Sequence, residues 1–230
     1  MKKIFTLMTL MMLAAISVKA QNKMIIAYFS WGGNTRALAN EIQNQTGADI
    51  YRIEPAEPYS TDYQTTAYGR AYEEYQNDSR PALADTTHDF SPYSYIFIGC
   101  PVWWMTTPKL IDTFLETYDF SGKTVIPFTT YYSGTYSCLT NIVNKTPNSN
   151  HLEGFGTNGT NNQSSYTAVV TSWLQRIGIA DLVTSIDKVN VDNSKRSMAI
   201  YTLDGKAMGD DVTTLAAGTY IRNGRKFMVR

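Results

Sequence analysis

Two cysteines, two histidines and no apolar run beyond 15 residues are what this 230-residue chain offers where many proteins offer more. Each scarcity closes a door. Cys100 and Cys138 are too few for a disulfide-stapled scaffold. Export would permit their oxidation, but Cys100 ends an apolar strand where a small buried thiol is equally at home, so two free thiols are expected. His88 and His151 sit in no evident nucleophile or metal pattern, and no catalytic side chain or metal ligand is assigned. Charge of one sign is also lacking, with 20 Lys+Arg against 20 Asp+Glu. Residues 21–186 hold 9 Lys+Arg against 15 Asp+Glu, and residues 187–230 hold 8 against 5. A mildly acidic body with a mildly basic tail has no clustered basic face, which excludes a nucleic-acid partner.

The longest apolar run, Ile4 to Val18, spans 15 residues and falls short of the roughly 18 to 20 that cross a bilayer. Two lysines precede it and Val18-Lys19-Ala20 follows, the layout of a secretory signal peptide cleaved after Ala20. No cysteine stands there for lipid attachment. The expectation is an exported protein, periplasmic or at the cell surface, with no membrane span after cleavage.

From residue 24 onward the chain has order. Apolar strand-like runs MIIAYFS (24–30), ADIYRIE (48–54), SYIFIGC (94–100), KTVIPFT (123–129) and the weaker HLEGFGT (151–157) alternate with helical patterns. The helices are NTRALANEIQNQTG, with Gly47 as its stop, then TPKLIDTFLETYD with Pro108 at its start, and SSYTAVVTSWLQRIG. A longer connection, 55–90, contains the polar helix candidate TDYQTTAYGRAYEEYQND. Strands alternating with helices predict an α/β fold around a parallel sheet covered on both faces. From about residue 187 the pattern changes to short strands, SMAIYTL and GTYIRNGRKFMVR. Asn223-Gly224 is a hairpin signal, and a small β-rich C-terminal appendage is expected.

Open parallel sheets bind ligands beyond the carboxyl ends of their strands. Three loops there carry chemistry. Ser30-Trp31-Gly32-Gly33-Asn34-Thr35 combines glycines, hydroxyls and an amide at a helix N-terminus, which suits an anion. An ordinary capped turn would look similar. The loop has neither the GK[ST] of a triphosphate site nor the spaced glycines of a dinucleotide site, so a monophosphate is the anion expected. The second loop, Pro101-Val102-Trp103-Trp104, places two indoles just past a buried strand, with at least one at the mouth of the crevice. The third, Thr130-Tyr131-Tyr132-Ser133-Gly134, again pairs aromatics with hydroxyls, although surface tyrosines would read the same way. Together they describe a flat aromatic ring carrying one phosphate, and flavin mononucleotide (FMN) meets that description.

These segments resemble the flavodoxin family. YFSWGGNT is similar to its phosphate loop, usually S-x-T-G-N-T, and EPYSTDY with RPAL to its long second connection. IGCPVWWMTTPKLIDTFLETYDFSGKTVIPFTTYYSG resembles the part bearing both flavin-facing loops, and LEGFGTNGTNNQSSYTAVVTSWLQRIGI the closing strand and helix. The resemblance spans 24–178 and implies a flavodoxin-like three-layer sandwich with a five-stranded parallel sheet in the order 2-1-3-4-5. It implies FMN held by the three loops of a flavodoxin-like domain, and the change of pattern at about residue 187 divides the chain into domains at 21–186 and 187–230. Ser30, Gly32, Gly33, Asn34 and Thr35, with Trp31 in the same loop, would hold the phosphate. Pro101 to Trp104 would line one side of the ring and Thr130 to Gly134 the other.

Two departures stand out. Gly32 replaces the usual threonine, costing on the order of 1 kcal/mol of phosphate binding. Tyr131-Tyr132 replaces a small Gly/Ser-rich turn. The tail, through L-D-G-K and GTYIRNGRKF, resembles more loosely a C-terminal sorting module of exported Bacteroidetes proteins, though it is shorter. The resemblance implies a flavin oxidoreductase passing hydride or electrons to a small acceptor such as a quinone. A one-electron carrier for protein partners and an exported non-redox surface protein remain the alternatives, and a homodimer stays open.

Overall fold

The computed structural model describes residues 23–159, 166–183, 200–209, 211–222 and 225–229. The expected signal peptide and Asn223-Gly224 lie outside the described residues. The chain divides into two compact units, Met1–Ile179 and Ala180–Arg230, against an expected boundary after residue 186.

In the first unit the sheet forms where the sequence is most apolar. β1 (Met24–Tyr28) is buried throughout, and β3 (Tyr95–Pro101) and β4 (Thr124–Tyr131) are buried except at their ends. β2 (Asp49–Arg52) is the more exposed edge. With a short fifth strand, β5 (Asn150–His151), all pair in parallel, in the order β2-β1-β3-β4-β5. The fold expectation holds. Because side chains alternate across a strand, Ile25, Ala27, Ile96, Ile98 and Val125 face one side. There they meet Leu110, Ile111, Phe114 and Leu115 of α3 (Lys109–Thr117) and Cys138 and Ile142 of α4 (Cys138–Asn144). The other face carries α1 (Asn34–Thr46), packed against the sheet and against α5 (Tyr166–Arg176), whose Trp173 lies edge-on to Phe97 at 5.8 Å.

The fifth strand position departs from expectation. In place of one strand, β4 pairs with two short ones, β5 (Asn150–His151) and β6 (Phe155–Asn158). Val125 faces His151 and Phe128 faces Phe155, so the partner advances four residues while β4 advances three. The break falls opposite Pro127, which has no N–H to donate to the ladder.

The second connection also forms helix, but a broken one. A π-helical segment, Gln64–Arg70, meets α2 (Ala71–Gln76) at a kink where Gly69 leaves helical dihedrals. Glu74 is buried there, accepting from the Tyr59 hydroxyl at 2.7 Å and from Arg70 at 2.7 Å. This ties the connection down beside the carboxyl end of β1. The sequence pattern predicts no helix at α4. Its seven residues, CLTNIVN, bury only Cys138 and Ile142, too few for a periodic signal.

In the second unit, β7 (Ile200–Thr202), β8 (Gly218–Arg222) and β9 (Arg225–Val229) form an antiparallel sheet in that order. Ile200 and Tyr220 are its buried residues, and Tyr220 lies 6.0 Å from Phe227. The expected β appendage is therefore present.

Candidate functional site

The carboxyl ends of β1, β3 and β4 converge on one cleft of about 500 Å³, within the range of small-molecule sites. All three predicted loops line it. Of the fifteen predicted residues only Gly33 is not on its wall, and Gly33 forms the turn behind it.

Loop one is built as a cradle. Gly33 takes the N-cap of α1 with φ 94°, a left-handed conformation that costs glycine little. No side chain caps this helix end, and its first turn carries no acidic residue. The leading N–H groups of α1 are therefore left without intrahelical partners and concentrate positive potential at the loop. The alternative reading of Asn34 or Thr35 as an ordinary cap is thus set aside. Ser30 is buried, and its Oγ accepts from the Gly33 N–H at 3.2 Å, leaving its own proton free to donate. Thr35, also buried, shares a 2.8 Å hydrogen bond with Thr130 of β4. Two hydroxyls sharing one hydrogen bond keep one proton to offer elsewhere. Gly159 closes in from beyond β6, where a Cβ would meet the Asn34 amide nitrogen at 2.8 Å.

The two indoles of loop two go different ways. Trp103 is half-buried, packing edge-on against Phe29 at 5.4 Å and Tyr59 at 5.0 Å. Trp104 reaches sideways, donating Nε1–H to the Ala67 carbonyl at 2.9 Å and lying near Tyr72 at 4.4 Å and Tyr75 at 6.1 Å. Both still line the cleft. Their divergence comes from a tight hairpin. Trp103 and Thr106 exchange backbone hydrogen bonds at 3.0 Å, and the two residues between them, Trp104 and Met105, both have positive φ, 47° and 63°. That two-residue turn ordinarily takes Asn and Gly. Here it carries bulky side chains, and such strain concentrates at functional sites.

Loop three divides its tyrosines. Tyr131 is half-buried on the wall, whereas Tyr132 is 83% exposed and stacks on no ring among the described residues. Ser133 bonds the Tyr136 hydroxyl at 2.9 Å. Below the loop, Cys100 and Cys138 are free, fully buried thiols with Sγ atoms 3.4 Å apart, and burial pushes the Cys100 thiol well up. The expectation of free thiols holds.

The sequence reading missed the fourth wall. Tyr63, Thr66, Ala67, Tyr68 and Ala71 of the second connection line the cleft, as do Met105, Tyr136 and Gly159. Tyr63, Tyr68, Met105, Tyr132 and Tyr136 are all more than half exposed and form an aromatic, apolar rim. The density of tyrosine between 59 and 75 was the available signal. Among the described residues, no charged side chain lines the cleft.

Comparison with known proteins agrees with this geometry. Residues 23–177 match the flavodoxin family model. A solved structure assigned as a flavoprotein from Bacteroides uniformis is 31% identical, covering 65% of this chain and 98% of its own, with a TM-score of 0.59. A second from Bacteroides eggerthii is 30% identical over 68% of this chain and 98% of its own, also with a TM-score of 0.59. A flavoprotein from Lactobacillus acidophilus, solved in complex with FMN, shares the fold at 21% identity and TM-score 0.54, over 66% of this chain and 98% of its own. No curated protein matches.

Proposed function

The chain belongs to the flavodoxin family, and from that premise we propose that it binds FMN in the cleft and acts as a flavin oxidoreductase on a small acceptor such as a quinone. The observation that carries the reading is the uncapped N-terminus of α1 behind Gly33, opening into a cleft walled by aromatic and hydroxyl side chains. The backbone N–H groups of Gly32 to Thr35, the Ser30 hydroxyl and the spare proton of the Thr35–Thr130 pair would hold the phosphate. Val102, Trp103 and Tyr131 would flank the ring system. The hydroxyl absent at Gly32 is offset by that spare proton. Bound FMN supplies both hydride and single-electron transfer, so no acid or base of the protein is required.

What favours a small acceptor over a protein partner is the rim. A carrier docks through a strongly charged face. Here the opening is ringed by Tyr63, Tyr68, Met105 and Tyr136, with no charge in the lining among the described residues. Such a rim suits an uncharged planar molecule, which can lie against its aromatic faces. Export is part of the proposal and rests on the composition of residues 1–20. No helix among the described residues is long and apolar enough to cross a membrane.

The test is an absorbance spectrum of the protein before and after incubation with FMN and repurification. Retained flavin bands, then steady turnover of NAD(P)H with a quinone, are expected. A colourless protein that refuses FMN overturns the reading. Bound flavin without turnover leaves the electron carrier.

A further inference from the structure

The phosphate loop has an outer side as well. Sharing Ser30–Gly32 with the cofactor cleft is a trough of about 540 Å³ lined by the buried side chains of Phe29, Ile53 and Tyr59 and by Pro55 and Pro58. Adjoining it is a recess of about 160 Å³ lined by Ser30 to Gly33 of the phosphate loop and by Arg36 and Arg52. Trp31 borders the cleft, the trough and the recess. Its Nε1–H is fixed on the Ser60 carbonyl at 2.8 Å, which makes the indole a partition between the spaces.

Arg36 is what makes the recess unusual. Every other lysine and arginine described between residues 23 and 183 is held by a carboxylate or, in Lys123, by two backbone carbonyls. Arg36 has no hydrogen bond or ion pair among the described residues, although it belongs to a body with more carboxylates than cations. Its guanidinium lies back over the loop, with Nη2 3.7 Å from where a side chain on Gly33 would begin. Arg52 is tethered to Glu54 at 3.2 Å and both are about half exposed, so part of its donor fork faces solvent.

We propose that this trough and recess form a second small-molecule site, which takes an organic anion whose phosphate or carboxylate lies between Arg36 and Arg52 and whose apolar body lies on the Phe29–Tyr59 floor. Two planar guanidinium forks match the oxygens of such an anion. Glu54 lines the trough and holds Arg52 at 3.2 Å, which fixes the guanidinium beside the recess. The recess shares Ser30 to Gly33 with the loop that would hold the cofactor phosphate, so the second anion is sought with FMN already in the cleft.

The experiment is isothermal titration calorimetry of the full chain, incubated with FMN, with phenyl phosphate and with inorganic phosphate as probes. Phenyl phosphate should bind with one-to-one stoichiometry and more tightly than inorganic phosphate, since only it reaches the apolar floor. R36Q/R52Q should weaken it at least tenfold, whereas Arg176→Gln, which removes a remote charge, should change it less than twofold. Should the double variant fail to fold, R36Q alone, on the exposed face of α1, serves instead. Absence of binding at millimolar probe, or equal affinity in wild type and R36Q/R52Q, overturns the proposal. A protein that takes no FMN yet binds phenyl phosphate in an Arg36-dependent way upholds this site and overturns the cofactor reading.

Discussion

Thr35 and Thr130 are 95 residues apart in sequence, and their hydroxyl oxygens meet at 2.8 Å in the buried floor of the cleft. The first turn of α1 is thereby fastened to the end of β4, so the phosphate loop and the flavin-facing third loop share one anchor. Removing one hydroxyl strands the other in a dry site, which costs about 1–3 kcal/mol. T35V and T130V should each destabilise the protein by that amount, and T35V/T130V by less than the sum. Urea denaturation of the four proteins in a double-mutant cycle reads this directly, and additive losses would mean the two hydroxyls act independently.

Gly159 approaches Asn34 so closely that a methyl group there would sit 2.8 Å from its Nδ2 and 3.1 Å from its Cβ. Gly159→Ala should push Asn34 off the loop and weaken FMN binding at least tenfold. A fluorescence titration with FMN checks it, with circular dichroism to confirm the fold. Unaltered affinity would remove Asn34 from the phosphate site.

The two indoles should separate in mutagenesis. Trp103 packs on Phe29 and Tyr59, so Trp103→Ala should cost about 3 kcal/mol of stability as well as FMN affinity. Trp104→Ala should cost less stability, because its ring lies among half-exposed tyrosines on the second connection. The midpoints of chemical denaturation, with and without FMN, compare them.

Met105 holds φ at 63° in a turn that favours glycine. Met105→Gly should therefore leave stability unchanged or raise it by up to about 1 kcal/mol, despite losing a side chain. A clear loss of stability in thermal melts would show that the Met105 side chain supports the rim.

Acid should loosen the far side of α3. The Arg80 hydrogen bond, with Lys145 behind it, holds the Glu116 carboxyl down at about 2, and Arg80 and Lys109 lower Asp78 as well. A carboxylate depressed in the folded state contributes stability above its unfolded pKa of about 4.3, and that contribution fades as pH falls toward 2. Glu116 is 46% exposed, which keeps the effect within about 1 kcal/mol. The melting temperature should fall between pH 5 and pH 2, and fall less steeply in Glu116→Gln. Identical slopes would assign the acid sensitivity to other carboxylates.

Much of this was legible in the chain itself. Continuous apolar runs specify strands buried on both faces, alternation with helices specifies a parallel sheet, and Gly32-Gly33 before a helical pattern specifies an anion-ready turn. These are local properties, fixed by backbone preference and side-chain period, so the sequence by itself determined the layers and the three loops that meet at the cleft, while the strand order followed from the resemblance to the family. Other features depend on what lies across the fold. Pro127 splits the fifth strand only because its missing N–H faces that strand. Trp103 turns inward and Trp104 outward because a strained hairpin divides them between a core and a tyrosine-rich helix. The second connection becomes a wall of the cleft only once Glu74 anchors it beside β1, and Arg36 is distinctive only when every neighbouring cation is seen to have a partner. Pairings between residues far apart in sequence carry no local signature, and only the tertiary structure decides them.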